Sequence, residues 1–97
     1  MKYTLQTTKR FDKCVKKCIA SGYDISKLQH VMQMLEATGT LSAEYRPHKL
    51  TSFKGNCTWE CHIESDWLLI WEQYDTELVM VMISTGTHSN LFGKKRR

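Results

Sequence analysis

The stretch CTWECHIESDWLLIWEQYDTELVMVMIS, residues 57–84, reads as three consecutive strands, and that reading decides the fold. In CTWECHI the period is two. Cys57, Trp59, Cys61 and Ile63 fall on one side, Thr58, Glu60 and His62 on the other. DWLLIWEQY is bulky almost throughout, and LVMVMIS has the pattern of a buried strand. IESD makes a tight connection between the first two strands, and DTE a hairpin turn before the third. Strands joined this closely pair antiparallel.

Upstream the period changes. KYTLQT alternates Tyr3 and Leu5 with polar neighbours and predicts a short first strand. Thr7 or Thr8 can cap a helix with Phe11, Val15, Cys18 and Ile19 on one face and Gly22 at its end. Lys9, Lys13, Lys16 and Lys17 lie mostly opposite, with Arg10 beside them. Asp24 can cap a second helix, with Leu28, Val31, Met32 and Leu35 on its face and Gly39 as its stop. The short GYD link favours two antiparallel helices. LSAEYRPHKLTSFKGN holds the only proline and is expected to be mostly loop with one short edge strand. The order β-α-α-β-β-β predicts an α+β domain: two N-terminal antiparallel helices on a mainly antiparallel sheet of about four to five strands.

Ninety-seven residues allow one domain, expected over 1–93, with 94–97 as a disordered basic tail. The longest apolar run, LVMVMI, is far short of the roughly 20 residues of a membrane helix. The N-terminus has no apolar signal core, so the expected location is the cytoplasm. Charge is unevenly spread. Residues 1–32 carry seven Lys/Arg against two Asp, residues 33–93 three against eight, and KKRR ends the chain. A basic front and tail suit a polyanionic partner, with nucleic acid ahead of membrane.

The cysteines form two C-x3-C pairs, Cys14/Cys18 and Cys57/Cys61. On one strand, Cys57 and Cys61 would stand about 13 Å apart, at roughly 3.3 Å per residue. Neither a disulfide nor one metal ion spans that. No turn residue falls between either pair, so all four are expected to act as small buried hydrophobes, with no metal site.

His62 and Asp66 are expected to flank one hairpin end, with Trp67 beside them. His48 in RPHKL and His88 in TGTHSNLF reach that edge only if the strand order allows it, which local pattern does not fix. Taken alone, a loop histidine is more often structural than catalytic.

YRPHKL, ECHIESDWLLIW and TGTHSNLF resemble, in order and over nearly the whole chain, three signature segments of YafQ-type toxins of the RelE/ParE superfamily. The resemblance implies a RelE-like fold and a ribosome-dependent mRNA endoribonuclease held inactive by a RelB/DinJ-type antitoxin. It implies a site of His48, His62, Asp66 and His88, with Trp67, Phe92 and Arg46 against the substrate. Lys9, Arg10, Lys13, Lys16 and Lys17 would meet ribosomal RNA phosphates. The chemistry suits these residues. RNA cut through its own 2′-hydroxyl needs one group to take that proton and another to protonate the leaving 5′-oxygen, which imidazoles and a carboxylate can do. The nucleophile lies in the substrate, so no cofactor is implied. His88 and Asp66 are the expected proton-transfer pair, with His48 and His62 binding the phosphate or sharing that work. Glu60 and Glu64 are their expected acidic neighbours. Trp67 and Phe92 would stack on or position a base.

The chain departs from the family at two positions. Trp59 and Ser84 stand where such toxins usually carry arginine, and charge missing there is expected to lower activity. The alternative is a catalytically weak protein that inhibits translation by occupying the ribosome. A ParE-like gyrase poison fits the histidine set less well, and a zinc-binding structural protein least.

Overall fold

The computed structural model describes residues 2–50, 57–87 and 91. In chain order these form β1 (Thr4–Thr7), α1 (Lys9–Ala20), α2 (Ile25–Thr38), a 3-10 turn (Ala43–Tyr45), β2 (His48–Lys49), β3 (Thr58–Glu64), β4 (Trp67–Tyr74) and β5 (Val79–Gly86). The five strands make one sheet in the order β1-β5-β4-β3-β2. The meander β3-β4-β5 is antiparallel, as its short turns require, and β2 extends it antiparallel beside β3. The N-terminal β1 instead runs parallel to β5, from Thr4 opposite Val79 to Thr7 opposite Met82. The sheet is therefore mixed, and the edge strand expected before Cys57 is only two residues long.

Both helices begin where the sequence places their caps. Thr8 Oγ1 accepts from the Phe11 N–H at 3.0 Å and donates to the Met82 carbonyl at 3.1 Å, so one side chain caps α1 and ties it to β5. Asp24 accepts from the Ser26 N–H at 3.1 Å. Gly39 ends α2 in the left-handed region, at φ 76°. A side chain at that position would also meet the Tyr3 ring, whose Cε1 lies 2.5 Å from where a Cβ would stand.

The helices cover one face of the sheet. Phe11, Cys18, Leu28, Val31 and Leu35 pack there against Cys61, Ile63, Trp67, Leu69, Trp71, Met80 and Met82. Ile19 does not join them and is 57% exposed. The buried and half-buried positions of α1 are 11, 14, 15 and 18, and one more residue turns about 100° past Cys18, away from the sheet. Central β4 is buried on both faces, with Leu68 and Ile70 inside on the side away from the helices. All four cysteines are free. Cys18 and Cys61 lie in the core, whereas Cys14 and Cys57 are half-buried. Burial pushes the Cys61 thiol up to about 12, so it packs as a neutral hydrophobe.

Candidate functional site

Register places the polar side chains of the far face. Residues directly opposite one another on neighbouring strands point to the same side. His48 is opposite Glu60, Glu60 opposite Ile70, and Ile70 opposite Ser84. One row on, His62 is opposite Leu68, and Leu68 opposite Gly86. His48, Glu60 and His62 thus share the face turned away from the helices. The two imidazole centroids lie 6.5 Å apart.

The contacts within this group are specific. His48 Nε2 is 3.0 Å from Glu60 Oε1, and its Nδ1 is 3.1 Å from the Arg46 carbonyl oxygen. Both ring nitrogens face acceptors, so only the doubly protonated ring donates to both at once. His62 Nδ1 is 3.3 Å from the Ser65 carbonyl oxygen, to which it donates when protonated there. Arg46 brings its guanidinium to 3.5 Å from the same ring. It can do so because it sits just past the 3-10 turn at φ 47°, a left-handed backbone that swings the chain back toward β3.

Several expected residues land elsewhere. Trp67 is 2% exposed and belongs to the core. Its indole N–H donates to Thr85 Oγ1 at 2.9 Å, and Tyr23 packs edge-on against its ring at 4.8 Å. In this arrangement its ring packs in the core and not on the histidine face. The tryptophan follows the two-residue turn and enters β4 pointing toward the helices. Glu64 is no neighbour of the histidines either. The register shift between His62 and Glu64 moves it off their side of the sheet, and it pairs with Lys27 of α2. Asp66 is exposed in the turn between β3 and β4. His88, Phe92 and the 94–97 tail lie outside the described residues.

The two unusual positions separate. Trp59 leaves the sheet on the helix side, where it stacks on Trp71 at 6.3 Å with 12° between planes. Lys49 Nζ lies 5.7 Å from its ring centroid. A side chain at 59 therefore points away from the histidines. Ser84 is on their face, in the row of Glu60 and Ile70, and is 1% exposed. The guanidinium beside His62 comes instead from Arg46.

Glu60 is the residue that sequence reading undervalues. Its side chain is 7% exposed, yet it holds the half-exposed ring of His48. The alternation in CTWECHI puts it on the histidine side, but neither its burial nor its His48 contact follows from local pattern. Lys9, Arg10, Lys13, Lys16 and Lys17 are all exposed along α1. Among the described residues, no group of three or more His, Cys, Asp or Glu side chains is arranged to hold a metal ion. Nor is any helix among them long and apolar enough to cross a membrane.

Comparisons with known proteins agree on one group. The family described as "Bacterial toxin of type II toxin-antitoxin system, YafQ" matches residues 3–93. The mRNA interferase toxin YafQ of Escherichia coli BL21-DE3 is 37% identical over 86 residues, spanning 87% of this chain and 89% of that protein. A chain in the E. coli DinJ–YafQ toxin–antitoxin complex is similar at TM-score 0.84 and 32% identity, over 96% of this chain and 100% of its own. A metal-bound toxin from Helicobacter pylori is similar at TM-score 0.83 and 33% identity, over 93% and 99%.

Proposed function

The chain belongs to the YafQ family of bacterial toxins of type II toxin–antitoxin systems, and from that premise we propose that it is an endoribonuclease cutting mRNA on the ribosome. The observation that carries this reading is the grouping of His48, His62, Glu60 and Arg46 on one sheet face. Relatives named mRNA interferase toxins support the same activity.

In this reading the 2′-hydroxyl of the substrate attacks its own 3′-phosphate. One group removes the hydroxyl proton, and another protonates the leaving 5′-oxygen. His88 and Asp66 are the proposed proton-transfer pair. His62 is proposed to share that work or to bind the phosphate. His48, with Glu60 behind one nitrogen, and Arg46 offer positive charge to the phosphate, whose negative charge grows in the transition state. Because the attacking oxygen belongs to the RNA, the step calls on no metal-bound water. Phe92 is the remaining proposed contact to a base. The exposed cations of α1, Lys9 and Arg10 among them, are proposed to meet nucleic-acid phosphates.

The proposed partners are ribosome-bound mRNA in the cytoplasm and an antitoxin of the DinJ/RelB type, since a structural neighbour is a DinJ–YafQ complex. The test is to map new mRNA 5′ ends after adding the purified protein to translating ribosomes. Discrete cuts, lost in His48→Ala, Asp66→Ala and His88→Ala, support the reading. Stalled translation without cuts would replace it with inhibition by occupancy.

A further inference from the structure

Arg10, Lys13, Lys16 and Lys17 do more than decorate a helix. They line one cavity of about 590 Å³ between α1 and the end of β5. No carboxylate among the described residues lines it. The ion pairs among the described residues are Lys27–Glu64 and His48–Glu60, so none of these four cations is neutralised by one. The only acid of α1, Asp12, lines a different groove, between the two helices, which of the four cations Lys16 alone also borders.

The floor of the cavity differs from its rim. It includes the half-buried Tyr23 ring, held edge-on by Trp67, with Ser21 and the backbone of Gly86 beside it. A surface serving phosphates alone, or an acidic peptide, needs only the cations. A rim of unpaired cations over an aromatic floor matches the two halves of a nucleotide. The cavity lies on the helix side of the sheet, at the end of β5, and the histidine face lies on the other side of that strand end. Gly86 is directly opposite Leu68, and Leu68 directly opposite His62. Two strand spacings make about 10 Å between the backbones of Gly86 and His62.

Building on the ribonuclease reading above, we propose that this cleft is a second nucleotide subsite, seating one nucleotide of a single-stranded RNA that passes round the end of β5 from the histidine face. Its phosphate lies on Lys13 and Lys17 and its base against Tyr23. A strand gripped there and at Arg46 is held at two points, which orients the bond between them for in-line attack.

The experiment uses a fluorescein-labelled 2′-O-methyl hexauridylate, whose blocked 2′ position makes binding independent of cleavage, with anisotropy measured across a salt series. Lys13→Gln/Lys17→Gln should weaken binding about tenfold and lower the salt slope by about 1.4, since each single-strand phosphate contact contributes about 0.7. Tyr23→Leu should weaken binding several-fold with the slope unchanged, because stacking releases no counterions. Lys2→Gln/Lys27→Gln, with the same change in net charge, should stay within twofold of wild type. An unchanged slope in the Lys13/Lys17 variant, or an equal loss in the Lys2/Lys27 control, overturns the subsite. A folded Tyr23→Leu protein that binds as wild type overturns its base-binding half. Both lysines are exposed, so their variant reads out even if Tyr23→Leu does not fold. Wild type that binds with this pattern yet makes no cuts refutes the ribonuclease reading alone. Cuts without the pattern refute the cleft alone.

Discussion

Glu60 Oε1 lies 3.0 Å from Nε2 of His48 across the β2–β3 pair, with the glutamate 7% exposed and the histidine 49%. A carboxylate withdrawn from water and aimed at an imidazole orients the ring and compensates its positive charge. Glu60→Gln keeps the size and removes the charge. It is expected to lower mRNA cleavage at least about tenfold, the equivalent of about 1.4 kcal/mol in the barrier. Glu60→Leu should lose as much activity with little loss of stability, because the His48 ring that it leaves without a carboxylate is half-exposed to water. Cleavage rates on ribosome-bound mRNA, set beside denaturant midpoints, check both. Normal cleavage by Glu60→Gln would remove Glu60 from the site.

Trp67 separates a core role from a substrate role. Trp67→Phe keeps most of the apolar volume and deletes the N–H bonded to Thr85 Oγ1, which still donates to the Leu68 carbonyl at 2.7 Å. The expected cost is about 1–2 kcal/mol of stability. Cleavage per folded molecule should be close to normal. A collapse of cleavage at unchanged stability would mean that Trp67 touches RNA after all.

Gly39 is constrained twice, by φ 76° and by the Tyr3 ring. The ring cannot simply move aside. The Tyr3 N–H bonds the Glu36 carbonyl at 2.8 Å, and its hydroxyl donates to Asp75 at 2.6 Å. Gly39→Ala should therefore cost about 1–3 kcal/mol. Adding Tyr3→Ala relieves the clash but not the backbone strain, so the double variant should be less destabilised than the sum of the two. Full additivity in urea melts would show that the clash contributes nothing.

The same Tyr3 hydroxyl, followed by the Gln73 amide, holds the Asp75 carboxyl below its ordinary value of 3.8. A depressed folded value stabilises the protein above the unfolded value, and that contribution disappears as pH falls through the folded one. Tyr3→Phe keeps the ring and removes the donor. The stability gap between wild type and Tyr3→Phe should be constant near neutrality and should close below about pH 3.8. Chemical denaturation from neutral to strongly acid pH measures it. A gap that persists at the acid end would assign the stabilisation to the ring.

Much of the architecture is legible in single residues. Thr8, Asp24 and Gly39 bound the helices because caps and left-handed stops are local chemistry. Residues 57–84 announce three strands because a period of two, interrupted by IESD and DTE, admits little else. The parallel pairing of β1 with β5 is not legible, since it joins Thr4 to Val79 across the whole domain. Nor is the exposure of Ile19, because which arc of α1 the sheet covers is set by packing against distant strands.

For the site, sequence alone determined which chemistry is present. Imidazoles, a carboxylate and the cations of α1 stand in segments whose likeness to one toxin family spans nearly the whole chain. Tertiary structure decided which of them meet. Strand order brought His48 to His62, a left-handed Arg46 supplied the cation beside them, and burial made Glu60 a partner of His48. The same packing took Trp67 into the core and turned Trp59 to the helix side. The physical reason is that the period of a strand fixes which residues share a face. Which strands lie side by side, and what covers each face, depend on contacts between residues far apart in the chain.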